Sequence, residues 1–86
     1  MSNTLHLTPQ MLAVYLVKNG YGRAWENKSY TYYAPLFPHG GRPYMVAVPH
    51  VDDQNAVWQA INKISEHATG KSSADIAREI RQEDAR

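Results

Sequence analysis

The sequence predicts an α+β domain, a three-stranded antiparallel meander with helices on one face, in the order α-β-β-β-α-α. Three observations predict it. Apolar residues recur at helical spacing near both ends of the chain, and a two-residue alternation fills the middle. The alternating runs also follow one another in hairpin succession, broken only by polar or Pro/Gly-rich turns. A sheet this small needs a packed partner, so the helices must cover one face and leave the other to solvent or to a binding partner. At 86 residues the chain is read as a single domain over 1–86, with 1–7 and 82–86 expected to be flexible.

The first helix is expected over about 9–19. Thr8 can cap its free amides, and Pro9 suits a first turn whose N–H groups lack intrahelical partners. Met11, Leu12, Tyr15 and Leu16 form its apolar stripe, and Gly20 supplies a left-handed stop. Tyr21–Glu26 then alternates as a strand, with Tyr21, Arg23 and Trp25 on one face and Gly22, Ala24 and Glu26 on the other. After the polar turn Asn27-Lys28, Ser29–Ala34 returns with Tyr30, Tyr32 and Ala34 opposite Ser29, Thr31 and Tyr33. Prolines and paired glycines make "PLFPHGG", residues 35–41, a loop, and the third strand is expected over Pro43–Val48.

Asp52 or Asp53 can cap the second long helix. Val57, Ile61, Ile64 and Ala68 line one of its faces, and Thr69-Gly70 stops it. Ser72 with Asp75 three residues on resembles a capping box for a short last helix carrying Ile76, Ala77 and Ile80.

Composition excludes several chemistries. There is no cysteine, hence no disulfide framework, thiolate metal site or cysteine nucleophile. The N-terminus lacks the basic and apolar regions of a signal peptide, and the longest apolar run, Met11–Val17, is far short of a bilayer span. The expectation is a cytoplasmic protein that meets no membrane. Net charge is +1, but residues 1–50 carry +3 and residues 51–86 carry −2, a mild pull toward an anionic partner.

The histidines, His6, His39, His50 and His67, lack metal-ligand spacing, so no metal and no cofactor is expected. "ATGKSS" contains Gly-Lys-Ser, but Ser65 stands where a phosphate loop needs its first glycine, and the segment follows a helix rather than a strand. Nucleotide binding is therefore not expected. His50 with Asp52 or Asp53, near Tyr30 or Tyr33, is the one arrangement resembling a general base with its orienting group.

The aromatic residues carry more weight. Tyr30, Tyr32, Tyr33, Trp25 and Tyr44 are the candidate protein-binding set, because Tyr and Trp anchor interfaces. Lys18, Arg23, Lys28 and Arg42 are the phosphate contacts if the aromatics instead stack RNA bases.

The stretch from "LAVYLVKNGYGRAWENKSYTYYAP" to "GGRPYMVAVPH" resembles, over about residues 10–65, the HicA-type toxins, small bacterial mRNA interferases with a double-stranded-RNA-binding-like fold. The shared features are the helix stop Lys18-Asn19-Gly20-Tyr21, the hairpin, and a third strand ending in Val48-Pro49-His50. That family places a catalytic histidine after a serine at the start of its second strand, whereas this chain has Lys28-Ser29-Tyr30. The resemblance thus implies a relative of the fold without the nuclease. The first expectation is a non-enzymatic interaction module of bacterial or phage type, binding a protein partner or itself through an aromatic sheet face. The alternative is RNA binding on the interferase-like fold.

Overall fold

The computed structural model describes residues 6–36 and 44–84, the side chains of Ala68 and Thr69 excepted. His39, Arg42, Pro43 and most of the Pro35–Gly41 loop lie outside the described residues, as do the chain's ends and the place of Ala68 in the apolar stripe. The order is α1 (Pro9–Lys18), β1 (Tyr21–Glu26), β2 (Tyr30–Pro35), β3 (Val46–Pro49), α2 (Gln54–Ile64), a π-helical turn (Ser65–Thr69) and α3 (Ser73–Asp84). The three strands form an antiparallel sheet in the order β1-β2-β3. This is the α+β meander the sequence predicts.

Local chemistry sets the boundaries. Thr8 Oγ1 accepts the Met11 amide at 3.2 Å, and Gly20 at φ 86° ends the first helical segment. β2 begins at Tyr30 rather than Ser29 because Asn27 Oδ1 takes both the Ser29 and Tyr30 amides, at 2.8 and 2.7 Å, closing the turn before pairing starts. β3 is shorter than expected at its start and includes Pro49, which pairs with Tyr30 on an edge strand where a missing donor is tolerated. Asp53, not Asp52, caps α2 by accepting the Ala56 amide. The expected single helix to Thr69 is instead α2 followed by the π-helical turn, closed by Gly70 at φ 70°. Ser72 caps α3, and that helix continues to Asp84, past the point where fraying was expected.

One face of the sheet packs on the helices. Val46 and Val48 of β3 and Tyr21 of β1 join Leu12, Tyr15, Leu16, Val57, Ile61, Ile64, Ile76 and Ile80 in one core. Leu7, in the segment expected to be flexible, is fully buried there, and Gln54 Nε2 donates to its carbonyl at 2.7 Å. The Tyr15 hydroxyl donates to Glu79 of α3 at 2.9 Å, and the Lys71 ammonium pairs with the same carboxylate. Those two donors, Lys71 first, hold the Glu79 carboxyl below its ordinary value. Among the described residues no helix is long and apolar enough to cross a membrane.

Candidate functional site

A single irregularity in β1 decides what the other sheet face presents. Arg23 pairs with Tyr33, but Trp25 pairs with Tyr32, so Ala24 is an extra residue with no partner of its own. Such a bulge reverses the alternation of everything after it. Strict alternation puts Trp25 with Tyr21 and Arg23; the bulge moves it to the opposite face and turns Glu26 toward the helices. The open face therefore gathers Gly22, Trp25, Tyr30, Tyr32, Ala34, Ala47 and Pro49, with no charged side chain among these strand residues.

The rings on this face touch one another. Trp25 meets Tyr32 edge to face, centroids 5.0 Å apart at 87°, and Tyr30 lies 6.2 Å from Tyr32 at 54°. Trp25 remains 54% exposed and neighbouring Leu36 61%. Leu36 folds over Gly22, where an added Cβ would stand 2.7 Å from the Leu36 side chain, so glycine admits the leucine there. The Trp25 indole N–H and the Tyr30 and Tyr32 hydroxyls have no hydrogen-bond partner among the described residues. The face is thus apolar in area yet offers three donors unused by the described residues.

Tyr33 and Tyr44, the other two members of the expected aromatic set, sit elsewhere. Both pack against the core from the helix side. The Tyr44 hydroxyl lies 2.5 Å from that of Tyr21, and its ring stacks on the His67 imidazole at 4.6 Å. Burial, then the bond to Tyr44, pushes the Tyr21 hydroxyl well above the ordinary tyrosine pKa.

The expected base–orienter pair does not form. Asp52 instead bonds His6 Nε2 at 2.7 Å and accepts from Gln54 at 2.7 Å; these contacts, Gln54 first, lower its pKa. Asp53 is occupied as the cap of α2. The partners of His50 come from the hairpin. Its Nδ1 stands 3.0 Å from the Lys28 carbonyl, which can only accept, so that nitrogen carries the proton. In the neutral ring Nε2 then accepts from the Thr31 hydroxyl at 2.8 Å, with Glu26 Oε2 3.5 Å away. Composition gives no sign of this trio, which the β2–β3 register assembles. Thr31 is only 8% exposed, and its hydroxyl stands between His50 Nε2 at 2.8 Å and Glu26 Oε2 at 3.4 Å, so the cluster ties the β1–β2 turn to the end of β3.

Of the candidate phosphate contacts, Arg42 lies outside the described residues, and the other three do not gather on the face that carries the rings. Lys18 pairs with Glu83 at 2.9 Å before β1 begins, and Lys28 lies in the turn after β1 ends. The strand between them is about 20 Å long. Arg23 is exposed but pairs on the same face as Tyr33, away from the open rings. Among the described residues no group of three or more His, Asp or Glu side chains is placed to hold a metal ion. Compared with protein-family models, with curated proteins and with solved structures, the chain matches none of them.

Proposed function

We propose that the protein is an interaction module that binds a protein partner through its open sheet face, with Trp25, Tyr32 and Tyr30 as anchors. The observation that carries this reading is the contiguous row of those three rings, uncharged and outside the core. Buried aromatic anchors with few charges around them are what the centre of a protein interface uses. An RNA site would need cations beside the rings to neutralise phosphates. Among the described candidates, Lys18 and Lys28 stand beyond opposite ends of β1, and Arg23 is on its other face.

The test is a paired capture from nuclease-treated lysate with the wild-type protein and the Trp25→Ala/Tyr32→Ala variant. A stoichiometric protein held by the wild type and lost by the folded variant is the expected result. Equal capture by both, or recovery only of salt-sensitive nucleic acid, would overturn the reading.

A further inference from the structure

Three properties of the open face together restrict what can cover it. It carries no charged side chain among the described strand residues, so an occupant whose binding depends on phosphates or carboxylates finds no counterion on the strands themselves. Its described strand residues place no carboxylate or amide among the rings, the groups that would grip several hydroxyls of a sugar at once. It does offer ring surface with three donors that have no partner among the described residues, the Trp25 indole N–H and the Tyr30 and Tyr32 hydroxyls.

An occupant complementary to that surface is apolar, uncharged and rich in hydrogen-bond acceptors with no donors of their own to satisfy them. A polyproline-II segment has this chemistry. Its backbone makes no internal hydrogen bonds, its carbonyls point outward, and proline contributes an apolar ring and no N–H. Its conformation is set before binding, so less entropy is lost on docking. The dimensions agree as well. The two ring spacings place Trp25 and Tyr30 at most about 11 Å apart, and one three-residue turn of polyproline II is about 9 Å long.

We infer that the open face recognises a proline-rich, polyproline-II segment of a protein partner, lying across Trp25, Tyr32 and Tyr30. This rests on the protein-binding reading above and names the occupant's chemistry. A Trp58→Phe variant leaves Trp25 as the only tryptophan, and its fluorescence reports a titration with decaproline directly. Saturable binding is expected, insensitive to salt, weakened about 10-fold or more by Tyr32→Ala, and absent for a Gly/Ser peptide of equal length. Amide shift changes in the labelled wild-type protein, confined to residues around Trp25, Tyr30 and Tyr32, give the same answer without the Trp58 substitution.

No saturation by decaproline, or equal binding of the Gly/Ser peptide, would overturn the inference. A selection from displayed random peptides separates the two levels. Enriched sequences without proline that still require Trp25 would overturn the polyproline occupant and leave the protein-binding face standing. Peptides indifferent to Trp25→Ala would overturn both. Self-association that shields Trp25 would make a second copy the occupant, and would likewise overturn the polyproline assignment.

Discussion

Tyr15 and Tyr21 predict how the fold loses stability in alkali. Both side chains are nearly inaccessible, at 4% and 6% exposure. Burial is the first cause that raises their hydroxyl pKa values, followed by the bond to Glu79 for Tyr15 and to Tyr44 for Tyr21. In the unfolded chain both ionise near pH 10. Above that pH the folded state therefore binds more protons than the unfolded one, and stability falls as pH rises. With both hydroxyls held protonated in the folded state over this range, each tyrosine withdraws about 1 kcal/mol between pH 10 and pH 11, or about 2 kcal/mol for the pair. In a domain of this size that lowers Tm by about 10 °C. The assay is thermal unfolding followed by circular dichroism from pH 7 to pH 11, on the wild type and the Tyr15→Phe/Tyr21→Phe double variant. At pH 7 the variant is less stable by about 1 kcal/mol per lost hydrogen bond. Other tyrosines and lysines titrate in both proteins and cancel, so the gap closes as pH approaches 11. Parallel curves across that range would contradict the burial of the two hydroxyls.

Three further perturbations follow from the packing. Ile61→Ala empties a fully buried position between α2 and the sheet and should cost about 2–5 kcal/mol in denaturant unfolding; a loss under about 1 kcal/mol would contradict its place in the core. Gly70→Ala meets no atom within 4 Å, so its expected cost of about 1–2 kcal/mol is backbone strain at φ 70°, and Gly70→Asn should recover part of it. Deletion of Ala24 removes the unpaired residue and leaves Trp25 opposite Tyr32, so the protein should fold with its aromatic face intact, read from the near-ultraviolet circular dichroism of the ring pair.

The order of elements was legible because each boundary has its own chemistry in the sequence. Thr8-Pro9, Gly20, Asn27, Asp53, Gly70 and Ser72 all act where their residue types imply. The alternation of β2 was legible too, since Thr31 and Tyr33 do face the helices while Tyr30 and Tyr32 face away. The side taken by Trp25 was not. In Tyr-Gly-Arg-Ala-Trp-Glu either phase leaves plausible residues on both faces, and a single extra residue marks itself only through its partner strand. The π-helical turn was hidden for a similar reason, because its five residues fit the period of α2 well enough to read as a continuation. The partners of His50 escaped because they come from 19, 22 and 24 residues away, through register, while Asp52 and Asp53 stand close to it in sequence. Nearness along the chain was the wrong guide there.

Everything proposed for the open face depends on which way Trp25 points. The most direct measurement is the set of nuclear Overhauser contacts from the Trp25 indole in the folded protein. The bulge predicts contacts to the Tyr32 ring and none to the Val46 and Val48 methyl groups, which lie on the helix side of the sheet. Contacts from the indole to those valines, with none to Tyr32, would put Trp25 beneath the helices and remove the binding face.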